Sequence, residues 1–256
     1  MDIDPKEITQ SIVKFLKDSF RSAGFTRAVI ALSGGLDSST SCVLAVKALG
    51  KENIYPVLLP YGNLNKNGSK DALLVINSLK IPKRNVTQVD IAALVEPIFS
   101  LDKPTDLIRK GNIMARMRMI VLFDQAKKRK ALVVGTENKS EHLLSYFTRF
   151  GDEASDIEPL RSLYKTQVYQ LAKYLSVPKS IITKKPTAGL WEGQTDEGEF
   201  GFTYKDADEI LFYLYDGNKT VGEIVKDGFK RETVEKVKAW VEKNDFKHNL
   251  PFVCKS

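Results

Sequence analysis

The sequence predicts an α/β fold, a doubly wound and mainly parallel sheet with helices on both faces. Three short apolar runs, at 28–32, 54–59 and 131–134, alternate with longer segments in which apolar residues recur at helical spacing. The runs are almost continuously apolar, which is typical of parallel strands that helices cover on both sides. The first run leads into a glycine-rich loop and then a helix. We therefore expect a ligand site at the carboxyl ends of the strands.

The loop after the first strand, Ser33-Gly34-Gly35-Leu36-Asp37-Ser38, is the most informative stretch of the chain. Its two glycines let backbone N–H groups approach a phosphate, and the helix that follows begins with a partial positive charge. Asp37 would repel phosphates unless a divalent cation lay between them, so the loop predicts an anion together with Mg²⁺. The spacing excludes the G-x-x-x-x-G-K-[ST] and G-x-G-x-x-G phosphate loops. An ordinary strand-to-helix turn remains the alternative at this point.

Composition and charge restrict the partners of the chain. The 256 residues include 39 Lys and Arg against 32 Asp and Glu, and the net charge of +7 suits nucleotides or nucleic acid. Because the basic residues are scattered, except for a run at 127–130 where a helix should end, we do not expect nucleic-acid binding. Two distant cysteines, Cys42 and Cys254, argue against zinc and dithiol chemistry. Since no signal peptide, membrane span or linker is found, we expect one cytoplasmic domain, 1–256, with no membrane partner.

Helical periodicity and turn residues delimit the elements of the first half of the chain. A first amphipathic helix runs through 8–20 and ends near Gly24, and a second follows the glycine loop and ends at Gly50. After the second strand, which Pro60 stops, we expect a loop, a helix, a third strand and a further helix that Pro97 breaks. Their predicted bounds are 61–69, 70–80, 85–90 and 91–99.

The longest predicted helix covers 106–129. It carries three of the four methionines and is apolar on more than one face. That pattern suits a core helix, and it equally suits a dimer interface built on adaptable methionines. The pattern alone does not separate the two interpretations.

A second polar loop, Gly135–Glu141, follows the fourth strand. Because the carboxyl ends of parallel strands meet at one edge of a sheet, this loop should face the first. Thr136 offers a hydroxyl to phosphate or adenine, and Glu141 offers a carboxylate that could complete a magnesium site with Asp37. The alternative for Glu141 is a solvated acid in the first turn of a helix. Its neighbour His142 is interpreted as structural.

Two long irregular segments flank a predicted helix that begins at Lys165. The first, 146–160, mixes aromatic residues, a cation and acids around a glycine, and long ordered loops in α/β domains are often functional. Lys165 opposes the dipole at the start of its helix, which makes it a candidate phosphate ligand. The second, 184–201, has four glycines and a cluster of acids, and we expect a mobile lid there. Further helices are predicted at 204–215, 220–227 and 231–244.

Several stretches taken together resemble the ammonia-dependent NAD⁺ synthetases over essentially the whole chain. The loop 33–38 is shared with the wider group of ATP pyrophosphatases, which split ATP into AMP and pyrophosphate. Phe147-Thr148-Arg149-Phe150-Gly151-Asp152 and Pro186-Thr187-Ala188-Gly189-Leu190-Trp191 look specific to NAD⁺ synthetases. The remaining resemblance lies in 135–141, in Lys165 and in the tail 244–251.

The resemblance implies a fold, a reaction and an assembly. The fold would be that of the adenine-nucleotide α-hydrolases, without a glutaminase domain. The nicotinate carboxylate of deamido-NAD⁺ would attack the α-phosphorus of ATP and release pyrophosphate, and ammonia would then displace AMP. Mg²⁺ is the implied cofactor. The implied assembly is a homodimer with a dinucleotide site at the subunit interface, which favours an interface role for the helix at 106–129.

The resemblance also implies the residues of the site. Asp37 and Glu141 are the implied magnesium ligands, and Asp37 and Lys165 are the implied catalytic residues. The implied deamido-NAD⁺ residues are Arg116, Arg149, Asp156 and Lys247. The implied ATP residues are Ala31, Leu32, Ser33, Gly34, Gly35, Leu36, Asp37, Ser38, Thr136, Lys165 and Thr187.

The chain departs from the family pattern at two positions, and two other classes share parts of that pattern. Many members carry His-Lys where this chain has Phe246-Lys247, and Arg149 replaces a lysine of some members, which keeps the charge but changes the geometry. A different adenylating enzyme, tRNA-modifying or of the amidotransferase type, would share the first loop. A nucleotide-binding module without enzymatic activity could share the sheet. Exchange between ATP and pyrophosphate that depends on deamido-NAD⁺ separates the three.

Overall fold

Four parallel strands form the central sheet of the computed structural model, which describes residues 1–64, 66–102, 106–249 and 254. In chain order they are β1 (Ala28–Ala31), β2 (Ile54–Leu58), β3 (Thr87–Gln88) and β4 (Leu132–Val133). Their order across the sheet is β3-β2-β1-β4, with Ala28 paired to both Ile54 and Leu132. The order reverses between β1 and β4, so their carboxyl ends form the switch point at which such sheets bind ligands.

Helices cover both faces of the sheet, as the sequence predicts. The first seven helices are α1 (Pro5–Ser22), α2 (Leu36–Leu49), α3 (Lys66–Ser78), α4 (Ala92–Phe99), α5 (Leu107–Arg129), α6 (Lys139–Leu143) and α7 (Lys165–Tyr174). On one face of the sheet α1, α2 and α7 contact one another around buried residues such as Leu16, Leu44 and Leu171. On the other face α4 and α5 pack together over Val29 and Val133.

The C-terminal helices form a third apolar cluster, which includes Phe200, Ile210 and Val237. The remaining helices are α8 (Lys179–Ile182), α9 (Asp196–Phe200), α10 (Tyr204–Leu211), α11 (Val221–Lys226) and α12 (Arg231–Asn244). Helix α10 contacts α6 and α7, so the cluster lies against the two helices that follow β4. In the described part of the chain, none of the helices is both long and apolar enough for a membrane crossing.

Several predicted bounds differ from the structure. The predicted break at Pro97 is wrong, because α4 continues through it to Phe99. The proline removes one helical hydrogen bond, while burial of Val95 and Phe99 on either side of it holds the turn in place. Helix α3 begins four residues earlier than predicted, and the loop after β4 is helical from Lys139. Residue 65 of the predicted loop 61–69 and residues 250–251 of the tail stretch lie outside the described residues.

Candidate active site

A cavity of about 560 Å³ opens at the carboxyl ends of β1, β2 and β4. Apolar residues such as Val57, Leu59 and Leu122 form one wall, and loops with charged residues form the rest. All the residues predicted for ATP, from Ala31 to Ser38 together with Thr136, Lys165 and Thr187, line it. Glu141 lines it as well, so the two loops after β1 and β4 do face each other across the switch point.

The glycine loop packs too closely against α3 for any other residue at Gly34. Its φ is +76°, and a Cβ there would lie 2.1 Å from the Gly68 carbonyl oxygen and 3.0 Å from the Ala72 backbone nitrogen. Gly35 precedes α2 without a side-chain cap from any described residue, which leaves N–H groups of the first turn available to an anion. The loop therefore has the backbone form of a phosphate site.

Asp37, Glu141 and Lys165 meet at the centre of the site. Lys165 Nζ lies 2.6 Å from Asp37 Oδ2 and 2.9 Å from Glu141 Oε1. The Asn138 side chain donates to Asp37 Oδ1 at 2.9 Å, and the ring of Tyr204 lies 5.2 Å from the ammonium. Three helices thus bring the two predicted carboxylates and Lys165 to one point, because α2, α6 and α7 each begin at this edge of the sheet.

Burial and charge act in opposite directions on this group. Burial opposes the ammonium of Lys165, but Asp37 and Glu141 outweigh it and hold the Lys165 pKa well above its ordinary value. Burial raises the pKa of Glu141, against the influence of Lys165 and with a contribution from Asp37. Asp196 of the 184–201 segment adds a third carboxylate to the same surroundings. The group therefore holds one ammonium and three carboxyl groups, and it has an excess of negative charge when all three carboxyl groups are ionised.

The donor set of this group fits Mg²⁺. Asp37 and Glu141 direct carboxylate oxygens at a shared point, and hard oxygen ligands are those that Mg²⁺ prefers. The excess negative charge is what a divalent cation would balance. Among the described residues no cluster of three His, Cys, Asp or Glu side chains is arranged to hold a metal. A magnesium ion here would therefore take its other ligands from phosphate oxygens and water.

The loop that carries Thr136 is fixed by a buried network that sequence analysis missed. Glu158 lies directly over Gly135, where a Cβ would come within 1.9 Å of its carboxylate. The Glu158 carboxylate accepts from the Glu137 backbone N–H at 3.2 Å, and the Arg161 guanidinium lies 2.5 Å from Glu137 Oε2. Burial raises the pKa of Glu137 to about 8 and that of Glu158 to about 7. In the sequence, Glu137 and Glu158 are visible only as one acid in each of two separate loops, and this does not predict that they lie together.

The 184–201 segment, which we call the lid segment, lines part of the cavity and is held together by internal hydrogen bonds. Thr187 donates its hydroxyl to the Gln194 carbonyl at 2.7 Å, and the Gln194 amide donates to Glu199 at 2.7 Å. Asp196 accepts from the Tyr204 hydroxyl and from the Ala188 backbone N–H. At its start Lys184 forms an ion pair with Asp71 of α3. The predicted mobility of this segment stays a prediction.

Three of the four residues predicted for deamido-NAD⁺ lie together outside the cavity. Arg116 Nε donates to the Arg149 carbonyl at 3.2 Å, and the Arg149 guanidinium lies 5.9 Å from the ring centre of Phe246. Lys247 donates to the Ser145 and Phe147 carbonyls at 2.8 and 2.9 Å. The fourth residue, Asp156, lies apart at the edge of the sheet, where its carboxylate accepts from the Val133 N–H at 2.7 Å.

Arg118 of α5 is a cavity residue that sequence analysis did not identify. Its Nε donates to the Leu59 carbonyl at 3.1 Å, just beyond β2. Burial lowers its pKa, and the nearby Asp152 opposes that effect. The available signal was a single cation at helical spacing from the apolar residues Ala115 and Leu122, which line the same cavity.

Known proteins match the chain along nearly its full length. The sequence model of the NAD synthase family matches residues 8–251. An NH(3)-dependent NAD(+) synthetase of Fusobacterium nucleatum is 42% identical over 255 residues, covering 100% of this chain and 98% of that protein. A solved structure described as NMN synthetase from Francisella tularensis has a TM-score of 0.86 and 37% identity, and each chain is covered completely. The NH3-dependent NAD synthetase from Campylobacter jejuni gives a TM-score of 0.83 at 30% identity, covering 99% of this chain and 100% of that one.

Proposed function

The chain belongs to the NAD synthase family, and from that premise we propose that it is a ligase that amidates deamido-NAD⁺ with ammonia, using ATP. The products are NAD⁺, AMP and pyrophosphate. The observation that carries the proposal is the meeting of Asp37, Glu141 and Lys165 beside an uncapped glycine loop, inside a cavity lined by every residue predicted for ATP. This arrangement suits the binding and departure of pyrophosphate.

In the first step the nicotinate carboxylate attacks the α-phosphorus of ATP. The free N–H groups at the start of α2 hold the β- and γ-phosphates of ATP, and the ammonium of Lys165 moves from its carboxylate partners to these phosphates. Both act on the charge that develops on pyrophosphate as it leaves. Asp37 and Glu141 would hold Mg²⁺, and bound Mg²⁺ would neutralise phosphate charge.

In the second step ammonia attacks the acyl carbon of the adenylated dinucleotide, the bond from that carbon to the AMP oxygen breaks, and AMP leaves while one proton of the ammonia is released. Water would compete for the same carbon, so the site has to be closed during this step. The lid segment supports such a role, because residues 186–190 already lie along the cavity. Its hydrogen bonds through Gln194 and Asp196 would keep it closed once both substrates are bound.

We propose that the active assembly is a homodimer formed around α5. Leu107, Ile108 and Ile120 of this helix expose 55%, 66% and 54% of their surface, which is apolar area that a partner subunit could bury. Arg116 lies on the same helix, so a partner subunit packed there would border the dinucleotide residues. We further propose that 1–256 acts as a single domain, because α10 packs against α6 and α7.

We also propose that the protein is located in the cytoplasm. Cys42 and Cys254 are both unpaired. Free thiols suit a reducing compartment, where disulfides are rare.

A second candidate is amidation of the mononucleotide, with NMN as the product. The full-length similarity to the structure described as NMN synthetase favours it. The dinucleotide is preferred because Arg116, Arg149 and Lys247 gather outside the cavity, where the second nucleotide of deamido-NAD⁺ would need cationic partners. A mononucleotide would leave that cluster unused.

The experiment that tests the proposal is product analysis with the purified protein. With ATP, Mg²⁺ and ammonium, deamido-NAD⁺ should be converted to NAD⁺, with one AMP and one pyrophosphate for each NAD⁺. Nicotinate mononucleotide in its place should react more slowly. Exchange of labelled pyrophosphate into ATP should require deamido-NAD⁺. Its absence with both substrates would leave a binding module or a different adenylating enzyme as the function.

A further inference from the structure

Arg118 is a cation of the cavity to which the proposed function gives no role. It lies midway along α5 on the face that also presents Ala115 and Met119 to the cavity. Its hydrogen bond through Nε to the Leu59 carbonyl holds the base of the guanidinium in place. An arginine retains its charge even when buried, and its planar fork suits phosphate and carboxylate oxygens.

The terminal nitrogens of this guanidinium have no partner among the described residues. The other two half-buried or buried cations of the cavity are engaged, Lys165 by Asp37 and Glu141 and Lys184 by Asp71. Arg118 forms no ion pair in the described part of the chain and faces the carboxylate of Asp152 at longer range. A partly buried cation with free donors directed at a cavity suits an anionic ligand.

The position of Arg118 indicates which anionic group it would bind. The glycine loop follows β1, and Glu141 and Lys165 approach it from the β4 side. Arg118 is fixed at the end of β2, which is the neighbour of β1 on the side away from β4. With pyrophosphate on the glycine loop beside Lys165, an α-phosphoryl group that extends towards the end of β2 would come within reach of Arg118. In an in-line displacement the attacking oxygen enters opposite the leaving oxygen.

We propose that Arg118 is a catalytic residue that binds the α-phosphoryl oxygens of ATP together with the attacking carboxylate. The inference rests on the proposed adenylation and adds a residue to it. A carboxylate and a phosphate repel each other, and a forked cation that contacts both offsets that repulsion as they approach. A bond forms between the carboxylate oxygen and the α-phosphorus while the bond from that phosphorus to the bridging oxygen breaks. The bonding electron pair leaves with pyrophosphate, and no proton is transferred.

The test compares Arg118→Gln, Arg118→Lys and Arg118→Ala with Arg84→Gln, an exposed arginine far from the cavity. Exchange of labelled pyrophosphate into ATP, dependent on deamido-NAD⁺, measures the first step alone. Arg118→Gln should lower its maximal rate by about 10²-fold, the usual effect of losing one charge-stabilising donor group, with a smaller change in the KM for ATP. Arg118→Lys should be intermediate, because it keeps the charge without the fork.

Chemical rescue separates a catalytic role from a structural one. Methylguanidinium should restore part of the exchange rate of Arg118→Ala and should leave Arg84→Gln unchanged. A melting temperature near that of the unmodified protein establishes that the variant is folded, and Arg118→Gln can still donate to the Leu59 carbonyl if the alanine variant unfolds. An exchange rate of Arg118→Gln within threefold of the parent, or an Arg118→Ala variant that is folded but not rescued, overturns the inference. A parent protein with no exchange at all contradicts the proposed function itself.

Discussion

Lys165 Nζ lies 2.6 Å from Asp37 Oδ2, so the first residue of α7 neutralises the second residue of α2 across 128 positions of the chain. In the absence of nucleotide, the Lys165 ammonium therefore supplies the positive charge that the Asp37 and Glu141 carboxylates require. When ATP binds, its phosphates compete with two carboxylates for the same ammonium. The carboxylates that lose this partner are then those best placed to hold a divalent cation.

Asp37→Asn tests the magnesium assignment. The amide keeps the size of the side chain and its contact with Asn138 but removes one of the two charges that would hold the ion. Turnover should fall by about 10²-fold, as for the loss of other groups that stabilise transition-state charge, and high magnesium should recover little of it. Steady-state rates over a magnesium titration measure both effects. Asp124→Asn, on the exposed side of α5, is the control, and a near-normal rate for Asp37→Asn contradicts the assignment.

The buried Glu137 should make the protein less stable as pH rises. Burial raises its pKa in the folded chain from 4.5 to about 8, so between these values the unfolded chain ionises while the folded chain still holds the proton. Stability from this group is complete below pH 4.5 and is lost as pH rises through 8, at about 1.4 kcal/mol per unit of raised pKa.

Urea denaturation at pH 5.5, 7 and 8.5 measures this dependence. Glu137→Gln should show a flatter profile, although Glu158 retains a dependence of the same sign. Glu223→Gln, an exposed acid whose pKa is lowered by hydrogen bonds from Thr220, is the control. An identical slope for Glu137→Gln and the parent would show that Glu137 is ionised throughout.

The protein should use ammonia and not glutamine. Glutamine hydrolysis needs a nucleophile such as a thiolate, and burial raises the pKa of Cys42 to about 12. Cys42→Ala should therefore keep its ammonium-dependent rate. Assays with glutamine freed of ammonia should show no NAD⁺, and glutamine-dependent synthesis by the purified protein would refute this prediction.

The lid segment should be cleaved by proteases when the protein is free and protected when ATP and deamido-NAD⁺ are bound. Its closed form depends on hydrogen bonds between polar side chains such as Gln194 and Glu199, so ligand contacts have to supply the rest of the stabilisation. Limited trypsin digestion after Lys184, with mass analysis of the fragments, reports on it, because the bond after Lys185 precedes Pro186 and resists trypsin. Cleavage at Lys127 and Lys128 in α5 is the internal reference, and equal rates with and without substrates count against a lid.

Arg116 should bind an anionic group of deamido-NAD⁺ at a subunit interface. Its replacement by Gln should raise the KM for deamido-NAD⁺ far more than the KM for ATP, since a lost charge-assisted hydrogen bond costs about 1.5–3 kcal/mol. Arg109→Gln on the same helix serves as the control. Equilibrium ultracentrifugation should show a dimer at concentrations where the enzyme is active. A fully active monomer would overturn the shared site.

The sequence predicted the strand-end elements well because their chemistry is local. Glycines, a carboxylate and a helix start are visible within six residues at 33–38, and strand polarity then implied that Glu141 would face Asp37. That Lys165 lies between these carboxylates could not be predicted, since the contact depends on how α7 packs against α2. Arg118 was missed for a similar reason, because only the fold distinguishes a helix face that lines a cavity from one that contacts the core.

The close packing at Gly34 limits how this protein can vary. Any side chain at that position would collide with the main chain at Gly68 and Ala72, and main chain cannot be trimmed by a second substitution. A change there would have to be accompanied by displacement of the N-terminal part of α3, the helix that also carries Asp71, the partner of Lys184. A substitution at Gly34 would therefore shift α3 and, through the ion pair between Asp71 and Lys184, the start of the lid segment as well. In a saturation library, position 34 should accept glycine alone, whereas the open position Gly24 should accept asparagine and aspartate as well.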